Sequence, residues 1–371
     1  MARRGSNIYL RKDGRWEARY VKSRKDGKTC FGYVYGSSRQ EAKEKQIRAR
    51  NRWMAGIKRE QGRTVRLDEL SGGWLSASEA QLKESTIAKY RDYLRCYIHP
   101  MFGKREMSAI SDADVSGFCT ELLKHGGKKG MGLSPKTVAE VFRVMKHLRA
   151  YALSRQYEVG YSSDCVRIRQ RPQELRVFTP PERDRLKKHL EESNDLIHLG
   201  ILLALFTGMR IGELCALTWE DISLEERVIH IQKTMQRISC NEGDGSKTKI
   251  VMTSPKTACS KRKIPLPVDL CARLAAARKP GAFLLTGETD RYVEPRTVQN
   301  HFKAVLSACN IGDAKFHTLR HTFSTVWVEK GLDVKCLSAV LGHSSVNTTL
   351  NRYVHPSMTM KRKNMEQMAV S

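Results

Sequence analysis

Residues 207–214, Thr207-Gly208-Met209-Arg210-Ile211-Gly212-Glu213-Leu214, follow an apolar run at 201–207 and set an arginine between two glycines, with a carboxylate three residues on. Three patterns downstream belong with it. They are Pro255-Lys256-Thr257, close to the basic run Lys261 to Lys263; His317-Thr318-Leu319-Arg320-His321; and Leu341-Gly342-His343, with Tyr353 ten residues on. Each has an ordinary reading when taken singly. Arg210 can cap a helix or pair with Glu213 at i+3. His317 and His321, four apart, have the spacing of two zinc ligands on a helix, although no third is placed by spacing unless His343 or His355 serves. Gly342 reads as a helix C-cap, so His343 could simply bond the helix end. Tyr353 could be an amphipathic surface residue, and Lys256 one loop lysine among several. Their joint occurrence in this order points to chemistry.

The set fits phosphodiester cleavage without a metal. The transition state gathers negative charge on the non-bridging oxygens, which two guanidiniums hold as forked donors; Arg210 and Arg320 are the candidates. A tyrosine nucleophile needs help, because free tyrosine ionises near pH 10 and forming phenolate at neutral pH costs roughly 4 kcal/mol. His317 and His343 could supply that help. The leaving 5′-oxygen needs a proton, and Lys256 could give it. No Gly-rich phosphate loop implies ATP, and no cluster of three acidic residues suggests a two-metal nuclease. No cofactor or metal is expected.

Composition narrows the partner. The 371 residues suffice for two or three domains, and 66 Lys plus Arg against 39 Asp plus Glu leave a net charge of +27. That excess favours a polyanion, of which nucleic acid is the commonest. No run of roughly 18 apolar residues suggests a membrane span. The start, Met1-Ala2-Arg3-Arg4-Gly5-Ser6, lacks a signal-peptide core, so a cytoplasmic protein is expected. The 10 cysteines are scattered singly without a Cys-x-x-Cys pair; most are expected to be small buried apolar residues.

Four segments follow along the chain. Residues 1–62 form a basic module: within the first 60, 18 Lys plus Arg face 6 Asp plus Glu. Short β-branched and aromatic runs at 7–10, 16–21 and 29–35, separated by Asp13-Gly14 and Asp26-Gly27, predict three strands. Ser38, with Glu41 three residues on, predicts a capped helix. Such a ribbon can enter a major groove, with Arg15 and Arg19 as candidate DNA contacts. Residues 63–161 read as all-helical, with helices predicted at 67–76, 85–97, 111–124 and 134–155. In the last, Val138, Val141, Met145, Leu148 and Ala152 make one apolar face. Lys136 and Arg143 on that helix, with Lys128 and Lys129 in the Gly-rich loop before it, are the DNA-contact candidates here. Residues 162–174, polar and aperiodic, read as a linker that lets two basic domains close round a duplex. From 175 to 371 a mainly helical α+β domain is expected. It starts a helix at Thr179-Pro180-Pro181-Glu182 and carries strands at 228–232, 236–240 and 263–266 in a small antiparallel sheet.

With these motifs in view, the last domain resembles the tyrosine recombinases, the phage-integrase family. Gly208-Met209-Arg210-Ile211-Gly212-Glu213-Leu214 is similar to the family's first arginine motif. His317-x-x-Arg320-His321 resembles its second box, and Leu341-Gly342-His343 with Tyr353 and His355 its third. Lys256 matches the lysine of the family's β-hairpin. The resemblance implies that Arg210 and Arg320 bind the scissile phosphate, Lys256 is the general acid, His317 acts in proton transfer, His343 bonds the phosphate and Tyr353 is the nucleophile. Glu213 and His321 are implied as supporting residues. The helical segment is similar to the family's core-binding domain, and the basic N-terminus resembles arm-binding domains of conjugative-transposon and temperate-phage integrases. Thr318 stands where an aspartate is frequent, Thr218 where a basic residue is common, and Val326 and Trp327 are bulkier than expected. None is at a catalytic position.

The resemblance further implies a mobile-element integrase acting on double-stranded DNA at core and arm sites. It would work as a homotetramer on two duplexes through a 3′-phosphotyrosine and a Holliday junction, with DNA-bending and excision factors as possible partners. The tail 357–371, with Met358, Met360, Met365 and Met368 among basic residues, is expected to dock on a neighbouring protomer. Two other readings stay open: a type IB topoisomerase, with the same chemistry but no synapsis, and a non-catalytic DNA-binding protein.

Overall fold

The computed structural model describes residues 7–25, 28–61, 63–127, 130–169, 175–240, 248–254, 260–353, 362, 365 and 366. Lys128, Lys129, Lys256, His355 and nearly all of the tail therefore lie outside the described residues. The chain divides into two compact units, 1–170 and 171–371.

The N-terminal strands are β1 (Ile8–Leu10), β2 (Trp16–Lys25) and β3 (Lys28–Gly36), an antiparallel sheet in that order. Strand alternation separates two faces. Ala18 is fully buried on the face that helix α1 (Arg39–Gln61) covers. Glu17, Arg19 and their cross-strand partners Tyr35 and Tyr33 share the other face. The predicted capping box at Ser38 needs correcting by one residue. Ser38 Oγ does accept the Glu41 N–H at 3.2 Å, but the Glu41 carboxylate reaches back to the N–H of Ser37 at 2.7 Å.

The helical part runs through α2 (Leu67–Glu79), α3 (Glu84–Tyr93), α4 (His99–Phe102), α5 (Asp112–His125) and α6 (Pro135–Ser154). One wider π turn at Leu94–Ile98 joins α3 to α4, where the sequence predicted a single helix through 97. Ser111 and Ser134 cap α5 and α6 by accepting the N–H of Asp114 and Thr137, each offsetting an orphan donor of the first turn. The apolar face of α6 is fully buried at Val138, Val141, Met145, Leu148 and Ala152. It packs in one cluster with Leu67, Trp74 and Phe102. Full burial of such side chains contributes about 1.5–3 kcal/mol each. The stretch predicted as linker is not free along its first half: Cys165, Val166 and Ile168 pack against this same cluster.

The second unit opens with α7 (Pro180–Glu191), whose Thr179–Glu182 box is formed, and α8 (Leu196–Thr207), apolar all round and buried as such a helix must be. Next come α9 (Ile211–Cys215), β4 (Ile222–Ser223), β5 (Val228–Ile231), β6 (Thr234–Ser239), β7 (Thr248–Thr253) and β8 (Arg262–Pro265). Strands β4, β5 and β8 form one antiparallel sheet in the order β4-β5-β8, and β6 pairs antiparallel with β7. Strands β4 and β7 are additional to those predicted from the sequence. Helices α10 (Val268–Ala276), α11 (Pro295–Ala308), α12 (His317–Glu329), α13 (Val334–Leu341) and α14 (Val346–Tyr353) complete the unit. The multidomain architecture is thus as expected: a three-stranded module with a helix, an all-helical part and a mainly helical α+β part. Among the described residues no helix is long and apolar enough to cross a membrane. The cysteines depart from expectation, since Cys30, Cys96 and Cys336 are exposed while Cys119, Cys215 and Cys309 are buried.

Candidate active site

The candidate residues meet in the second unit because the turn after α8 is tight. Gly208 adopts a left-handed backbone with φ of 65°, and an added Cβ would stand 2.6 Å from the Phe323 ring. Glycine is required on both counts. The turn delivers Arg210 to the N-cap of α9. At Gly212 a Cβ would lie 2.5 Å from the Met235 carbonyl oxygen, so this glycine lets α9 approach β6.

Glu213, in the first turn of α9, accepts the backbone N–H of Arg210 at 2.8 Å and its Nη1 at 2.8 Å. The i+3 pairing foreseen as the ordinary reading is therefore present, and it orients Arg210. Glu213 also accepts a full fork from Arg262 on β8, Nη1 to Oε1 at 2.9 Å and Nη2 to Oε2 at 2.9 Å. The side chains of Arg262 and Glu213 are only 5% and 3% exposed. Burial alone would raise the Glu213 carboxyl. The Arg262 hydrogen bonds, then the charges of Arg262 and Arg210, outweigh it and hold the group at about 2.

Arg320 lies on α12 and is buried. Its Nη1 donates to the Gly208 carbonyl at 2.9 Å and its Nη2 to the Leu341 carbonyl at 2.8 Å. The same Nη2 lies 2.9 Å from His343 Nε2. A guanidinium only donates, so Nε2 accepts and the imidazole proton sits on Nδ1. From there it donates to Thr349 Oγ1 at 2.7 Å. Burial, then the charge of Arg210, lower Arg320 to about 9; it remains charged at neutral pH. Three guanidiniums thus lie around the single carboxylate of Glu213, an arrangement short of negative charge. Among the described residues Arg210 Nε and Nη2, and Arg320 Nε, have no protein acceptor.

The next residue of α12, His321, reaches the tyrosine: its Nδ1 is 3.0 Å from the Tyr353 hydroxyl, in a buried pair. Tyr353, at the end of α14, packs with Val328, Leu337 and Leu341, and Phe323 and Trp327 lie against that group. The bulky Trp327 finds a place there, donating to the Asp333 carbonyl at 2.9 Å. His317 stands edge-on to His321 with ring centres 4.6 Å apart, and among the described residues it is His321, not His317, that touches the phenol. Burial, then the charges of Arg352 and Arg320, push His321 down to about 4. Burial, then Arg320 and Arg210, do the same to His343. His317, whose residue is exposed, is lowered by the protein packed round its ring first and then by the charges of His321 and Arg320. Among the described residues no group of three or more His, Cys, Asp or Glu side chains is arranged to hold a metal ion.

The geometry therefore joins Arg210, Glu213, Arg320, His321, His343 and Tyr353. Lys256 lies on the chain between β7 and β8, outside the described residues. Sequence reasoning missed Arg262 and Thr349. Arg262 carried one available signal: in strand β8 it shares a face with buried Ile264, while Lys261 and Lys263 are exposed.

The other DNA-contact candidates sit in the first unit. Lys136 and Arg143 are exposed on α6. Arg19 lies over Tyr9 and Tyr33 and bonds Glu17 at 2.8 Å. Arg15 lies over Tyr35 and bonds Asp13 at 2.8 Å. Tyr9, Tyr33 and Tyr35 are exposed beside them, so the outer sheet face presents guanidiniums interleaved with aromatic rings. The Arg15–Asp13 pair is open to solvent, whereas the Glu17 carboxylate that holds Arg19 is buried.

Comparison with known proteins places this geometry among relatives. A family model described as the phage integrase family matches residues 176–360, and one described as the phage integrase N-terminal SAM-like domain matches residues 67–123. The chain is 26% identical over 358 residues to a tyrosine recombinase XerC-like protein of Caldanaerobacter subterraneus subsp. tengcongensis, covering 89% of each chain. It is 23% identical over 335 residues to the ICEBs1 integrase of Bacillus subtilis (strain 168), covering 86% of each. Among solved structures, the Tn1549 transposon integrase in complex with a circular intermediate DNA matches with a TM-score of 0.64 at 21% identity, covering 81% of this chain and 99% of that one. At that identity the likeness is one of fold.

Proposed function

Because this chain belongs to the phage integrase family of tyrosine recombinases, and is a site-specific DNA recombinase of the integrase kind, we propose that the cluster of Arg210, Arg320, His343 and Tyr353 is its strand-cleavage site. One observation carries the assignment: α12 places Arg320 in contact with His343 and, one residue on, His321 in contact with Tyr353. One turn of α12 thus carries both a phosphate-binding cation and the histidine that touches the nucleophile of α14.

The scissile phosphate takes the unused donors of Arg210 and Arg320. The phenol oxygen of Tyr353 attacks phosphorus, the bond to the 5′-oxygen breaks, and the protein holds a 3′-phosphotyrosine. The phenol proton passes to a neighbouring histidine, His317 or His321, both neutral at physiological pH. Lys256 gives the leaving oxygen its proton. His343, whose Nε2 accepts from Arg320, takes a proton from solvent as the phosphate charge arrives and then donates it to a non-bridging oxygen. The phosphoester is conserved, so rejoining to a partner strand requires neither ATP nor metal.

Two duplexes present four strands and each protomer carries one Tyr353, so a homotetramer completes the exchange through a Holliday junction. Residues 1–62 bind arm sites through Arg15 and Arg19, and residues 63–161 bind core DNA through Lys136, Arg143, Lys128 and Lys129. Residues 162–174 link them to the catalytic domain 175–371, whose tail docks on a neighbouring protomer. Integration and excision of a mobile element occur where the chromosome is, in the cytoplasm, with DNA-bending and excision factors as partners.

The test is covalent trapping on duplexes from the ends of the element that carries this gene, nicked beside the cleavage point so that the short released piece diffuses away. The native protein gives an SDS-resistant adduct mapped to Tyr353, and Tyr353→Phe binds the same DNA without one. Site-specific binding with no adduct from the native protein would refute the assignment, and adducts on any supercoiled plasmid without site preference would favour a topoisomerase.

A further inference from the structure

Arg262 has no part in the reaction just described, yet its side chain is almost completely buried. Burying a guanidinium is costly unless it is paired and fully hydrogen-bonded, so its partners indicate its task. Its fork takes both oxygens of Glu213. Its Nε donates to the Val340 carbonyl at 2.5 Å, at the end of α13, and Nη1 also reaches the Ser260 carbonyl at 3.2 Å. Leu341, the next residue, gives its carbonyl to Arg320, and His343 follows two residues later.

We infer that Arg262 is a positioning residue for cleavage, locking the Arg210 side of the site to the α13 end that holds Arg320 and His343. Resting on the function proposed above, this role has two parts. First, Arg262 saturates Glu213. With the fork in place Arg210 spends only Nη1 on that carboxylate and keeps Nε and Nη2 for phosphate. With the fork removed, Glu213 would draw Arg210 into a bidentate pair of its own and away from the DNA. Second, the Val340 contact sets where α13 ends relative to α9, and therefore the separation of the two phosphate-binding arginines. Lys261 and Lys263, its exposed neighbours, cannot substitute because strand alternation points them outward.

Arg262→Lys tests this. Lysine keeps the charge that Glu213 needs but lacks the planar fork and cannot serve Glu213 and Val340 at once. On nicked element-end duplexes we expect the adduct to form about 10²-fold more slowly, the usual consequence of a misplaced reacting group, while DNA affinity, spread over many other phosphate contacts, falls far less. The same rate is then measured on a duplex whose scissile phosphate carries a methylphosphonate, which removes the non-bridging charge that Arg210 and Arg320 serve. There the ratio of native to variant rates should shrink by about tenfold or more. A general loosening of the fold would slow both substrates alike. Glu213→Gln supplies the second variant: if Arg262 acts through Glu213, the double variant is little worse than the poorer single one. Native-like adduct formation by Arg262→Lys overturns the inference, and so do equal losses on phosphate and methylphosphonate or additive losses in the double variant. Failure of the native protein to form any adduct would instead refute the cleavage site itself.

Discussion

Replacing Glu213 by glutamine should destabilise the catalytic unit by an amount that depends on pH in a specific way. The carboxyl is buried and held at about 2 against an ordinary 4.5, a gap worth roughly 3 kcal/mol of folding free energy at neutral pH. The sign follows from the depressed folded value: the contribution is complete above 4.5 and is lost as pH falls through about 2. Glutamine never ionises, and it leaves Arg262 buried beside a neutral amide, so at pH 7 the loss should be about 3–5 kcal/mol. For a unit of this size that lowers the midpoint of thermal unfolding by on the order of 10 °C. As pH falls to about 3 the native protein gives up most of its own advantage, and the gap to Glu213→Gln should narrow by about 2 kcal/mol. Calorimetry of the intact protein and the variant across this range reads the difference directly, and the titration of other groups cancels between the two. A gap that stays constant from pH 7 to 3, or never exceeds about 1 kcal/mol, would refute the view that Glu213 is an ionised link between two arginines.

His321→Phe should keep DNA affinity but slow adduct formation by about 10²-fold, the scale of general acid–base assistance; an unchanged single-turnover rate would assign the phenol's proton elsewhere. Thr349→Val removes the acceptor of His343 Nδ1 while keeping the shape, and should cost about 1–3 kcal/mol of stability in denaturant unfolding because a buried donor loses its partner. Arg15→Ala with Arg19→Ala should weaken binding to arm-site duplexes and leave trapping on core duplexes intact; equal loss on both would remove the arm-binding role from the outer sheet face. Affinity for full-length sites should fall about 10³- to 10⁵-fold between 50 and 200 mM salt if roughly 6 to 10 phosphates are contacted, and a flat response in filter binding would contradict the charge argument.

Much of the fold could be read from local pattern. Ser111, Ser134 and Thr179 announce helix starts because capping is settled within four residues. The buried stripe of α6 is visible as Val138, Val141, Met145, Leu148 and Ala152 because helical periodicity is a local property. Strand β7 was not legible, since its sequence marks no burial: its residues are exposed or half-buried, and its pairing with β6 is what makes it a strand.

Sequence alone also determined which residue types are available for cleavage, because Arg210, His317, Arg320, His343 and Tyr353 stand in motifs whose order and spacing can be read without coordinates. Their partnerships were decided only in three dimensions. Arg262 lies 49 residues from the carboxylate it binds, and two exposed lysines flank it in the chain, so alternation with Ile264 marks its face but only the fold brings it to its partner. His321 meets Tyr353 across 32 residues, and His343 takes its tautomer from an arginine on another helix. Hydrogen bonds and buried charges act over a few ångströms of space, whereas sequence records only separation along the chain. The chemistry on offer is therefore legible before folding, and the division of labour is set by tertiary packing.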